Sequence, residues 1–195
     1  MKGDTAQHIL AIAQDLVQQR GYSAFSYADI ADRLGIRKAS IHYHFASKDV
    51  LVQALVQRYR DRFAHMRHAI DQSGIPADQQ LIRFAGLYRD GLTHQHLCLC
   101  GMLSADFTVL PVGVQQDVQA FFAENQHWLE QVVNQGQRSG GITLHASAGA
   151  IASHLLATLQ GAQFMARCSA ESSVGAIAIF DAIIQTLFQT LFTQS

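Results

Sequence analysis

A chain of 195 residues with 49% hydrophobic and 15% charged residues is long enough to bury a core and too apolar to remain disordered. Two prolines leave helices largely unbroken, and three cysteines, an odd and sparse set, argue against a disulfide framework and fit a reducing cytoplasm. The net charge of −1 hides a split: residues 1–68 carry ten Lys/Arg against six Asp/Glu, residues 69–195 four against nine, so only the first part is expected to meet a polyanion.

Ile9, Ile12, Ala13, Leu16 and Val17 share one helical face, with Asp4 and Gln7 as a cap and Gly21 as a stop. Asp4, Gln7 and His8 leave the first twelve residues without the apolar centre of a secretory signal. Ser26-Tyr27-Ala28-Asp29 is a capping box that opens a short second helix burying Ile30, Ala31 and Leu34 before Gly35. A third short helix spans Arg37 to His44. Ser47 then caps a long fourth helix in which Leu51, Leu55, Tyr59 and Phe63 recur every four residues, as far as about Asp71. After the linker Ser73-Gly74-Ile75-Pro76, further helices are expected over 77–94, 97–108, 114–138, 146–167 and 173–193. Val174 to Ile184 is the most apolar stretch, but Asp181 interrupts it and it is too short to span a bilayer, so a soluble, all-α protein is expected.

Two short helices joined by a tight turn, Tyr27–Leu34 and Arg37–His44, have helix-turn-helix geometry, in which the second helix enters the major groove. That helix carries Arg37, Lys38, Ser40, His42, Tyr43 and His44, all suited to base edges or phosphates, while Ile41 is placed to anchor it. The stretch Gly21-Tyr22, Ser26, Asp29-Ile30-Ala31, Leu34-Gly35-Ile36, Lys38, Ser40-Ile41-His42-Tyr43-His44-Phe45, Ser47-Lys48-Asp49 and Leu51 closely resembles the DNA-binding domain of TetR-family repressors, over about residues 5–56 without gaps. The resemblance implies a DNA-binding domain over residues 1–50 and a ligand-binding and dimerisation domain over 51–195 whose last two helices pair in a homodimer.

Two residues depart from the family pattern: Arg37, where a small polar residue is usual, and His42, where Tyr is usual. Arg37 forgoes an N-cap and sets a cation at the positive end of a helix dipole, a cost of about 1 kcal/mol. It reads either as a base or phosphate contact or as a solvated Arg. Lys48 stands at the start of the fourth helix, where amide donors and an ammonium make a phosphate site, and its family counterpart contacts the DNA backbone. Tyr27, Tyr43 and His44 are further candidates for backbone contact. Phe45 reads as a core plug, and the run Arg58, Arg60, Arg62 and Arg67 as mostly a solvated face.

In the remainder, a helix through His94-Gln95-His96-Leu97-Cys98-Leu99-Cys100 would put His94 with Cys98 and His96 with Cys100. Packing is the preferred reading; thiol or metal sensing is the alternative. Tyr88, Met102, Phe107, Phe121, Phe122, Trp128, Phe164 and Met165 are candidate linings of an apolar ligand pocket, although each also suits plain core. No oriented base–nucleophile set or Gly-rich phosphate loop appears, and neither a resident metal nor a cofactor is expected. The expectation is a ligand-responsive regulator that binds duplex DNA as a homodimer through residues 146–193 and releases it when a small molecule enters the second domain. Nothing names the ligand.

Overall fold

The structure, a computed structural model, describes residues 2–192. Among these the helices are α1 (Lys2–Arg20), α2 (Tyr27–Leu34), α3 (Lys38–His44), α4 (Lys48–Gln72), α5 (Ala77–Thr93), α6 (Leu99–Ala105), α7 (Val112–Ser139), α8 (Ala148–Ser169) and α9 (Ser173–Leu191), with a 3-10 turn at Phe107–Val109. Thr193, expected to close the last helix, lies outside the described residues. Most expected boundaries agree within two residues. The exception is the stretch 97–108: α6 starts only at Leu99, and Gln95 takes φ 57°, so residues 94–98 form a turn. Without a continuous helix there, the proposed pairing of His94 with Cys98 and of His96 with Cys100 on shared faces is lost.

The chain packs as two compact units, Met1–Arg62 with Leu99–Phe121, and Phe63–Cys98 with Phe122–Ser195. This division differs from one at residue 50, because the first unit takes in α6 and the start of α7. Its core joins Ile9, Ala13, Leu16 and Val17 of α1 to Ile30, Ile41, Leu51, Leu55, Leu99, Leu103 and Phe121. α1 lies against α2, α3 and α6. Tyr59 and Phe121 meet at 5.4 Å between ring centroids, and Arg60 pairs with Asp117 at 2.7 Å.

In the second unit α5, α8 and α9 pack together. Phe84 is the hub of an aromatic cluster, stacked on Trp128 at 5.0 Å and close to Tyr88 (5.6 Å) and Phe63 (6.5 Å). Gln163 and Arg67, two buried polar side chains of this unit, are hydrogen-bonded, as the cost of burying them bare requires. The Gln163 amide donates to the Tyr88 carbonyl (2.6 Å) and accepts from the Cys98 N–H (2.8 Å). Arg67 donates to Asn125 Oδ1 at 2.7 Å. α9 buries Ala176, Phe180, Ile184, Leu187 and Leu191, while Ile177, Ile179, Ile183 and Phe188 are half-buried. At 19 residues α9 is long and apolar enough to cross a membrane by length and composition, which corrects the expectation that this stretch is too short. Only 28% of that span is buried within the chain, so α9 retains a broad apolar surface.

Candidate nucleic-acid interface

The local sequence builds the α2–α3 pair as its turn chemistry requires. The Ser26 N–H and hydroxyl both donate to Asp29 Oδ2, at 2.8 and 2.6 Å, which closes the start of α2. These bonds hold the Asp29 carboxyl below its usual 3.8, with Arg20 at 3.5 Å a minor contributor. Gly35 ends α2 in the left-handed region, φ 65°, where a side chain would be strained. Arg37 occupies the N-cap position of α3 and makes no side-chain cap bond, so its guanidinium is left to solvent.

α3 is held by one face. Ile41 is fully buried, and Arg37, Lys38, His42 and Tyr43 are exposed, Tyr43 at 68%. Ser40 and His44 are half-buried, and the His44 ring meets Tyr43 edge-on at 5.2 Å. Phe45 is buried, as a core plug should be. Tyr27 is also buried. Its hydroxyl donates to the Phe45 carbonyl at 2.9 Å, tying the start of α2 to the end of α3, and burial first, then the Asp49 charge, pushes its pKa up to about 12. His42 packs on the Tyr27 ring at 4.7 Å.

Lys48 has a more constrained setting than a surface lysine. Its ammonium donates to the carbonyls of Tyr22 and Phe25, both at 2.6 Å, and lies over both rings at 4.4 and 4.3 Å. Desolvation lowers its pKa, opposed by Asp106, Asp49 and Asp29. Two of its three N–H groups are therefore directed into the protein. Lys48 also borders a hollow of about 410 Å³ lined by Phe25, Ser26, Tyr27, Ala28, Lys38 and His42. Two lysines lining a hollow at a helix start suit a phosphate.

The basic run on α4 is not a solvated face. Arg67 is buried against Asn125, Arg60 is paired with Asp117, and Arg58 donates to Gln14 at 2.8 Å, leaving Arg62 exposed. Cys98 and Cys100 are buried at 2% and 0% exposure, whereas a sensing thiolate needs access to solvent. Among the described residues no group of three or more potential metal ligands occurs. The candidate pocket residues divide between the units. In the first, Phe121 packs on Tyr59, and Met102 and Phe107 are half-buried. In the second, Tyr88 and Trp128 flank Phe84, Phe122 is half-buried, and Phe164 and Met165 lie exposed on α8 at 36% and 61%.

Sequence reasoning passed over Asp106, which follows α6. Its carboxylate accepts from the Tyr22 N–H (3.0 Å), the Ser23 N–H (3.2 Å) and the Ser23 hydroxyl (3.1 Å). A partner 84 residues away leaves no periodic or local trace.

A bracketed pair of short helices with one exposed polar face, joined to a larger helical unit, defines a helix-turn-helix transcriptional regulator, a DNA-binding protein rather than an enzyme. The family profile described as "Bacterial regulatory proteins, tetR family" matches residues 9–55. A TetR-family transcriptional regulator from Agrobacterium tumefaciens is 32% identical, with a TM-score of 0.92, over 99% of this chain and 100% of that one. A TetR regulator from Legionella pneumophila is 30% identical, with a TM-score of 0.81, over 93% and 96% of the two chains. The HTH-type transcriptional repressor DhaR of Mycobacterium sp. (strain GP1) is 24% identical over 80% of this chain and 79% of its own length. The chain belongs to the TetR family.

Proposed function

We propose that this protein is a cytoplasmic repressor that binds a two-fold operator as a homodimer and leaves it when a small, largely apolar molecule binds the second unit. The observation that carries the DNA-binding half is α3 itself: Ile41 is wholly buried while Arg37, Lys38, His42 and Tyr43 project into solvent. In this reading Arg37, Lys38, Ser40, His42, Tyr43 and His44 meet the duplex. The hollow between Lys38 and Lys48 takes a phosphate, and Tyr27 orders that hollow from beneath.

Dimerisation through residues 146–193 is supported by apolar surface left open on α8 and α9, including Met165 and Val174, the latter 79% exposed. Repression is supported by relatives named as repressors. An apolar inducer is supported by a groove of about 640 Å³ between α5 and α9, where Ile82, Phe180, Ile184 and Phe188 line the walls beside the Arg89–Asp181 pair. Such a molecule acts only by its preference for the conformer that cannot bind the operator.

Selection from a pool of random duplexes tests the reading. The enriched sequence is expected to be a palindrome whose half-sites lie about 10 bp apart, centre to centre, or a multiple of that. Enrichment of no sequence, or of one without two-fold symmetry, would sink it.

A further inference from the structure

The turn Gly21–Phe25 between α1 and α2 is gripped on both its polar edges, and by residues remote in sequence. On the carbonyl edge the Lys48 ammonium accepts no hydrogen bond and donates to Tyr22 and Phe25. On the amide edge Asp106 receives the Tyr22 and Ser23 N–H groups and the Ser23 hydroxyl. Asp49 at the head of α4 takes the Tyr22 hydroxyl at 2.9 Å; burial first, then this bond, pushes the phenol pKa up to about 12. Gly21 allows the approach: its φ is 86°, and a Cβ there would stand 3.2 Å from Asp106 Oδ2.

We infer that Asp106 is a positioning residue for operator recognition, acting through this turn on the recognition helix. The inference rests on reading the chain as a DNA-binding regulator. The path is short and wholly within the first unit. Phe25 leads directly to Ser26, the cap of α2, and Tyr27 at the head of α2 is bonded to the Phe45 carbonyl at the end of α3. A turn free to shift therefore tilts α2 and carries α3 with it. Ser23 is exposed and Tyr22 is half-buried, so water can replace the lost acceptor. Removal of Asp106 accordingly loosens the geometry of the turn far more than it unfolds the core. Lys48 cannot stand in, because an ammonium has no acceptor for an N–H.

Asp106→Ala, Asp106→Asn and Ser23→Ala test this in the full chain, with the duplex enriched by wild type as the specific probe and poly(dI-dC) as the non-specific one. Asp106→Ala is expected to weaken specific binding about tenfold, the scale of losing charge-assisted bonds that orient a recognition element. Its affinity for poly(dI-dC) should remain within about twofold, since phosphate attraction survives a tilted helix. Asp106→Asn, which keeps an acceptor, should recover part of the loss. Amide exchange should quicken at Tyr22 and Ser23 in Asp106→Ala and stay unchanged at Ile9 to Leu16. Specific affinity within twofold of wild type, or an equal loss on both DNAs, overturns the inference; if Asp106→Ala does not fold, the same criteria applied to Asp106→Asn and Ser23→Ala decide. Failure of wild type to enrich any duplex defeats the DNA-binding reading itself, and the role of Asp106 with it.

Discussion

Two lysines that line one hollow separate what charge does from what position does. Lys38 is exposed, while Lys48 spends two N–H groups on Tyr22 and Phe25. Lys38→Ala should therefore lower the salt slope of operator binding by about one unit and leave the melting temperature nearly unchanged. Lys48→Ala should lower the slope by a similar amount and also lower the melting temperature, because two turn carbonyls lose their donor. Fluorescence anisotropy across a salt series, beside thermal melts, measures both; an unchanged melt for Lys48→Ala would remove its bracing role. Arg37→Ala should behave differently again, costing about 1–3 kcal/mol on duplexes carrying one base pair and relaxing preference there. Uniform loss over every operator variant would make Arg37 a phosphate contact instead.

The first four helices were legible in the sequence because their signals are local. Ser26 and Asp29 are three residues apart, Gly35 stops α2, and Ile41 is the apolar residue that anchors α3. The α2 cap also carries a pH signature. With the Asp29 carboxyl held below 3.8 by Ser26, its stabilisation is fully present above that value and is lost as pH falls through the lower, folded value. Asp29→Asn should thus melt lower than wild type at neutral pH, with the gap closing in strong acid; a gap independent of pH would separate the cap from the carboxylate charge. What the sequence hid is non-local. The turn at 94–98 has no proline to mark it, and it is fixed by Gln163, 65 residues from the Cys98 amide it holds. Gly91 accommodates that turn, since a Cβ there would meet the His96 carbonyl at 2.7 Å. The basic run on α4 misled for the same reason: Asp117 and Asn125, which partner Arg60 and Arg67, stand 57 and 58 residues further on. The exposed polar face of α3 was legible in the sequence; the contact of Asp106 with the Tyr22 and Ser23 amides was not.

At the scale of the molecule, α9 shows how one helix answers to two environments. Phe180, Ile184, Leu187 and Leu191 meet the chain's own core, and the rest of its apolar surface remains to be covered. Deleting residues from Ser172 onward should leave a chain that aggregates or stays monomeric. Its operator affinity should fall by much more than any single contact explains, since two half-sites no longer bind as one unit. Sedimentation and anisotropy on the same preparation check this; a full-length protein monomeric at micromolar concentration that still binds tightly would contradict it.

The discontinuity of the first unit bears on how such a regulator can be taken apart or recombined. Leu99, Cys100 and Leu103 fill the core beneath α1, and Phe121 closes on Tyr59. A segment cut at residue 50 or 62 would carry the whole reading head yet strand it without its floor. A chimaera that exchanges only the N-terminal stretch inherits a foreign α6, with whatever side chain that donor places against the Tyr22 and Ser23 amides. On the role inferred for Asp106, operator choice would be heritable as two separated pieces of sequence, which must travel together if specificity is to be transplanted intact.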